Sequence, residues 1–411
     1  MWTLDGVGNR LTETITNHNT NQQTSNKTYT YNARDQLTQM SDPPQQLVVD
    51  LSYDLNGNRI EKRVTKTTNN IAQTQTTTYQ YDVKDRLIDV HPNAPNTNNQ
   101  KTIRYQYDAQ DRRIEKQTYA NNNGVVGNAI ETKIDLYQNQ TLQHEATKSN
   151  NSNTDTPNAT GLKISDTYRR GSKLDRHIEF APSGNGGGTS NAQQSVRYYQ
   201  LDALDTPIAL TTTTGTTTDR NQFDAWGNLQ TQTANGNNVV IGQQPNTNPN
   251  QTGQAALLRN DNQSIGFTGY IKDDDTGLYY AGARDYDPLM GSFNAMDPVF
   301  GNTQQPITFN KYLYANANPT VYIDPDGRCG VFAYALPMAG GNLACNLFDG
   351  ALNRVNPMSP MDKPRYNNIA TPKAKKCCSM PPMDYADWPR CSPHSQSDRQ
   401  RTIHRRRFRR Q

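Results

Sequence analysis

Cysteine is missing from the first 328 residues of this 411-residue chain; all five, Cys329, Cys345, Cys377, Cys378 and Cys391, fall in the last 83. The longer part therefore has no disulfide framework and no thiolate metal site. Apolar residues are scarce too. They make up 33%, and glycine lifts the share only to about 40%, below the roughly 45–50% of average globular chains. This argues against a compact apolar-core enzyme over the whole length. Charge is also sparse, at 19% with a net +4, which argues against a highly charged disordered chain. The longest apolar stretch, Gly330 to Gly341, contains Pro337 and falls short of the about 20 residues a membrane-spanning helix needs. The opening MWTLDGVGNR has no basic segment followed by an apolar one, so no secretory signal peptide is visible.

Asn, Gln and Thr fill the gap, with 22 Tyr against 9 Phe. Thr and Tyr favour strands, while Asn and Gly favour turns. The expected fold class is all-β, with many strands joined by polar loops. Composition breaks near residue 328: the last 83 residues carry 14 Lys and Arg against 5 Asp and Glu, the first 328 carry 28 against 33, and nine of the 23 prolines lie in the tail. Two units of different role are expected to meet there.

A short unit recurs: an aromatic, Asp or Asn, two variable residues, Gly or Asp, a polar residue, then an aliphatic. It reads Tyr31-Asn32-Ala33-Arg34-Asp35-Gln36-Leu37, YDLNGNRI from Tyr53, YDVKDRLI from Tyr81 and YDAQDRRI from Tyr107. LDGVGNRL from Leu4, LDALDTPI from Leu201 and FDAWGNL from Phe223 are variants. The tyrosines at 31, 53, 81 and 107 stand 22, 28 and 26 residues apart, a period that marks a repeat architecture. An alternating strand enters each unit, a polar turn with Asp and Gly reverses it, and a second strand leaves. Each unit is a β-hairpin that cannot bury its face alone, so neighbours must pair into one long sheet with tyrosine ladders. The competing picture is an ordinary sandwich of unrelated hairpins, against which the repeated residue pattern speaks. Polar low-complexity stretches at about 150–191 and 235–252 are expected to be loops.

These units resemble the YD repeats of the Rhs/teneurin-type family. The stretch from Arg197 to Gly327 resembles the Rhs repeat-associated core, carried by RYYQLDALDTPIAL, FDAWGNL, FTGYIKDDDTGLYYAGARDYDPLMGSFNAMDP and KYLYANANPTVYIDPDG. The resemblance implies a β-hairpin ribbon forming part of a shell at 1–196, a core cap at 197–328, and a poorly ordered variable tail in the toxin position at 329–411. It implies a secreted polymorphic toxin of bacterial competition whose core releases a C-terminal effector by self-cleavage. The chain departs from the family in size: about seven units make an arc or an end cap, and Leu4-Asp5 reads as the end of a unit whose first strand is absent. A fragment, a truncated gene product and half of a shell completed by a second chain remain open. A cut first unit would expose a strand edge.

By the same resemblance, the family's aspartyl autoprotease places its dyad on Asp285 and Asp297, with Arg284 assisting. Two carboxylates held close cannot both ionise, so one keeps a proton as acid while the other activates water. Pro288, Gly291 and Asn294 supply turn signals that let the chain double back between them. The structural alternative is that Asp287 or Asp297 only caps a turn. The family's boundary motif DPxGL reads Asp324-Pro325-Asp326-Gly327-Arg328 here, with Arg328 in place of Leu. The cleavage boundary is therefore expected at Gly327, Arg328 and Cys329, cut after Arg328. Asp324 and Asp326 read as turn residues.

The tail offers no P-loop and no HExxH. Cys377, Cys378, Cys391 and His394 do not match standard zinc spacing, so neither a metal nor a cofactor is expected. Arg405, Arg406, Arg407, Arg409 and Arg410 could hold a phosphate backbone, or form a solvated terminus. The expected partners are an immunity protein, a secretion-system carrier, a second shell-forming chain and, through the tail only, nucleic acid. Secreted or cell-surface delivery by a specialised route is the expected location. A non-enzymatic YD-repeat protein for structure or surface interaction is the alternative from another class.

Overall fold

Among the described residues nineteen strands, from Trp2–Leu4 to Asn237–Val240, form one sheet in which every strand runs antiparallel to the next. The computed structural model describes residues 1–332 apart from 18–19, 21, 94–99, 123–124, 150–162, 171–173, 181–193, 235–236, 241–263, 302, 304–305 and 329–330. These residues belong to one unit, Met1–Arg354; the second, Val355–Gln411, lies outside the description. So do the expected zinc and arginine residues of the tail and most of both expected polar loops; where those stretches are described they are not loop but the strands Lys163–Arg170, Leu174–Phe180 and Asn237–Val240, which pair with their neighbours in the sheet. Among the described residues no helix is long and apolar enough to cross a membrane.

Repeat chemistry explains the meander. Within Gln22–Tyr31, Ser25, Lys27 and Tyr29 are buried while Thr24, Thr28 and Thr30 are exposed, the period of two that one covered face requires. At the turn, Asp82 acts as a template. Its Oδ1 accepts the N–H of Lys84 (2.9 Å) and of Arg86 (3.1 Å), while its own N–H reaches the Arg86 carbonyl at 3.0 Å. The same bonds recur at Asp5, Asp108, Asp202 and Asp224, and Asp54 keeps the bond to the fourth residue on. The fourth turn residue is left-handed throughout, as Gly8, Gly57 and Gly227 or as Asp35, Asp85, Asp111 and Asp205. Gly and Asp are among the residues that tolerate it.

Adjacent turns are tied along one rim. Asn9 donates to Asp35 at 3.0 Å, Asn58 to Asp85 at 2.7 Å and Arg86 to Asp111 at 2.7 Å. The repeat tyrosines reach backward: the Tyr53 hydroxyl donates to the Leu37 carbonyl and that of Tyr107 to the Leu87 carbonyl. The first unit differs from expectation. Its entering strand is present as Trp2–Leu4, which pairs with Arg10–Asn17.

A four-stranded sheet, Ile271–Asp273, Leu278–Tyr280, Asp285–Asp287 and Ser292–Phe293, lies in the segment 264–328, which seats on that rim. It supplies one or more apolar side chains to each buried cluster of the large sheet: Met290 among Tyr29, Met40 and Val49, and Leu278 among Tyr79, Val90 and Ile103. Ile265 and Tyr280 sit among Leu142, Tyr168 and Leu210. Burying each such side chain is worth about 1.5–3 kcal/mol. Phe267, Tyr270, Tyr286, Phe293 and Tyr314 form the segment's own aromatic centre, joined by Trp226.

Candidate functional site

Side chains alternate along Asp285–Asp287, and that alternation sorts the expected site residues into two places. Asp287 turns to the repeat sheet and accepts from Arg59 (2.6 Å) and Lys62 (2.9 Å). Those two cations hold its carboxyl below the usual range against the cost of burial. Asp285 faces Arg113 of the repeat sheet at 3.8 Å. Burial dominates there and pushes its carboxyl up to about 7, with Arg113 opposing. Arg284 faces the other way, with its guanidinium over the Phe293 ring at 3.7 Å.

Arg284 is 4% exposed and its bonds fan out over four partners. Nε donates to the Gly327 carbonyl at 2.5 Å and Nη1 to the Lys311 carbonyl at 2.8 Å. Nη2 meets Asp297 Oδ2 at 3.0 Å and Asp324 Oδ2 at 3.4 Å. A single nitrogen thus holds two carboxylates, while the same guanidinium holds a backbone carbonyl. Of the expected trio, the structure brings together Arg284 and Asp297 and leaves Asp285 on the opposite side of its strand.

Asp324, which the sequence presents as a turn residue, joins this group. Besides Arg284, its Oδ1 accepts the backbone N–H of Arg328 at 2.9 Å, and its carbonyl accepts the Tyr270 hydroxyl. The Gly327–Arg328 peptide is therefore held at both ends: Arg284 on its oxygen, Asp324 on its N–H. The signal was in the boundary motif, whose Asp324 reads as a turn residue until its partner 40 positions earlier is known.

Two glycines let the boundary turn approach. Gly282 (φ +96°) lies where a Cβ would meet the Asp326 carbonyl at 3.1 Å, and Gly327 (φ +73°) where one would meet the Arg284 nitrogen at 3.1 Å. Ala283 donates to the Asp326 carbonyl at 2.9 Å, and the hairpin closes beyond the turn as Tyr322 pairs with Phe332 and Ile323 with Val331. Arg328 is exposed, and Cys329, the last expected boundary residue, lies outside the described residues.

The electrostatics follow from carboxylate crowding. Asp297 is pushed up to about 6, by burial first, with Arg284 and the Val299 N–H opposing and Asp324 adding. Asp326 is pushed up to about 6 as well, by burial and then by Asp324. The arrangement suits hydrolysis of an amide: a cation on the carbonyl oxygen, a carboxyl at the nitrogen, and a second carboxyl poised near neutrality.

No protein-family model matches the chain. It is 34% identical over 131 residues to the tRNA nuclease WapA of Bacillus subtilis strain 168, covering 32% of this chain and 5% of that protein. It is 28% identical over 136 residues to double-stranded DNA deaminase toxin A of Burkholderia cenocepacia strain H111, covering 33% and 8%. The chain thus spans a small fraction of these relatives' length. Among solved structures, the TcdB2-TccC3-Cdc42 crystal structure aligns with a TM-score of 0.43 and 17% identity, over 80% of this chain and 17% of that one.

Proposed function

The chain is a YD-repeat protein of the Rhs type, kin to the shells of polymorphic toxins, and on that premise we propose that its core is an aspartyl protease cutting its own backbone. The observation that carries this is the single guanidinium of Arg284, which holds the Gly327 carbonyl, Asp297 and Asp324 together. Asp297, ionised, takes a proton from water as the oxygen attacks the Gly327 carbonyl carbon. Arg284 stabilises the negative charge that develops on the carbonyl oxygen. Asp324, protonated and beside the Arg328 nitrogen, gives its proton to that nitrogen as the C–N bond breaks. The products are a Gly327 carboxylate and an Arg328 amine. The family resemblance places the cut one residue later, after Arg328, and the N-terminal residue of the released piece decides between the two.

The released piece, beginning at Arg328 or Cys329, is the effector in this reading, and the divisions at 196 and 328 separate shell, core and cargo. An immunity protein, a secretion carrier, a second shell-forming chain and delivery outside the cell belong to the same proposal. Relatives named for tRNA and double-stranded DNA, and the arginine run ending at Arg410, favour nucleic acid as the cargo's target.

Intact mass of the expressed full chain tests the reaction. Wild type and Asp285→Asn should split at the boundary, while Asp297→Asn and Asp324→Asn should stay whole. A folded wild type that stays whole overturns self-cleavage and leaves the non-enzymatic repeat protein. A split that persists in Asp324→Asn, with loss in Asp285→Asn, would return the dyad to Asp285 and Asp297.

A further inference from the structure

The hydrogen bonds of Arg284 leave no guanidinium nitrogen without a partner: Nε goes to the Gly327 carbonyl, Nη1 to the Lys311 carbonyl, and Nη2 to Asp297 and Asp324. These N–H groups point outward in one plane, so their bonds occupy the edges of the group and leave its faces. On one face lies Phe293. The guanidinium carbon stands over its ring, 3.7 Å from the centroid, the shortest cation–ring distance among the described residues. That is van der Waals contact. The ring is itself fixed. Phe293 is 0% exposed, its N–H donates to the Tyr312 carbonyl at 3.1 Å, and its ring meets those of Tyr286 and Tyr314 edge to face. Two carboxylates on Nη2 draw the cation away from the neutral Gly327 carbonyl that Nε must hold. An acid on the face would add to that draw. An aromatic face attracts a cation through its quadrupole and carries no charge of its own.

We propose that Phe293 is a positioning residue of the self-cleavage reaction: its ring face holds the Arg284 guanidinium in the plane where one edge meets the Gly327 carbonyl and another meets Asp297 and Asp324. The inference rests on the self-cleavage reading above. Phe293 acts through Arg284 and carries no group that gives or takes a proton. Tilting the guanidinium off the ring swings Nε away from the Gly327 oxygen, and the negative charge that develops there loses its cation. Packing alone would ask only for an apolar side chain of this size at position 293. Holding a cation asks in addition for an electron-rich face.

The test separates the two demands by placing mono-, di- and trifluorophenylalanine at position 293 of the full chain. Fluorine draws electrons from the ring face with little change in its size, which weakens the attraction for a cation. The chain is made by cell-free translation, synthesis is stopped, and cutting is followed by gel and intact mass. The same series at Phe267 is the control, since that ring packs on Tyr286 and Tyr314 in the same aromatic centre with no cation over it among the described residues. Tryptophan fluorescence checks that every chain folds. The rate should fall step by step along the series at 293, to about a tenth of wild type with three fluorines, and hold steady along the series at 267. Phe293→Leu, apolar but without a π face, should cut no faster than the trifluoro chain. A flat series at 293, equal falls at both positions, or Phe293→Leu cutting at the wild-type rate overturns the inference while leaving self-cleavage standing. A folded wild type that stays whole overturns the reaction, and this inference with it.

Discussion

In the repeat sheet nearly every backbone partner is the next strand along, whereas the core segment 264–328 finds partners hundreds of residues away. Arg10 donates to the Met290 carbonyl across 280 positions and Asn310 to Asn9 across 301. The sheet is a sum of local hairpins with an exposed outer face, and each unit could form with its neighbour alone. The core segment has only short strands of two or three residues and depends on what it sits upon. The difference teaches where chemistry can be kept. Repeats supply a rim of near-identical turns, and a non-repetitive segment laid across them supplies the one place where Arg284, Asp297 and Asp324 meet.

The comparison breaks most sharply at Asp287. Replacing it with alanine leaves Arg59 (0% exposed) and Lys62 without their carboxylate, a loss of about 3–5 kcal/mol. Urea unfolding followed by both far-UV signal and tryptophan fluorescence should then show the core segment leaving before the sheet melts; one shared transition would mean that the two regions are a single cooperative unit. Gly227→Ala comes next. Its φ is +86° and a Cβ there would lie 2.5 Å from the Phe267 ring, a cost of about 2–3 kcal/mol. The matched Gly215→Ala, with φ +82° but nothing within 4 Å, carries only backbone strain of about 1 kcal/mol. Equal losses in denaturant midpoint would contradict a core-specific contact at Gly227.

A smaller effect sharpens the contrast by pH. Asp285 binds its proton more tightly folded than unfolded, since its carboxyl is raised from 3.8 to about 7. Stability is therefore lost as pH rises from about 4 through 7, and stays lost above that. Asp285→Asn should match wild type below pH 4 and exceed it at pH 8 by at least one unit's worth, about 1.4 kcal/mol. Parallel stability curves would refute the burial of that charge. The smallest change is Asn58→Ala, which removes the tie to Asp85 between two turns, at about 0.5–1 kcal/mol with self-cleavage untouched.

The repeats were the legible part. Asp at the turn start, a left-handed Gly or Asp three residues on and an aliphatic after it specify hairpin and register together, because each of these residues acts within its own turn. Even the choice of Gly over Asp carries long-range news: at Gly57 and Gly227 a Cβ would meet core atoms at 2.5 Å. The site was legible only in part. The sequence puts Arg284, Asp285 and Asp297 in one group, and the fold brings Arg284 to Asp297 while Asp285 sits against Arg113. Neighbours on a strand face opposite ways, and nothing in the spacing tells which carboxylate shares a face with the arginine. Asp324 reads as a turn residue because its contacts to Arg284 and the Tyr270 hydroxyl join positions 40 and 54 residues apart.

The order of pairing has a consequence in time. Synthesis delivers each strand just after the one it pairs with, so the sheet can grow as the chain emerges. The segment that lies across the rim is made after all the turns it touches, from Gly8, where a Cβ would contact Ile307 and Leu313, to Gly227 against Phe267. Arg284 and Gly327 therefore meet late, and under the proposed reaction the cut is an inspection stamp, applied by the last-made part of the shell to the turns made before it.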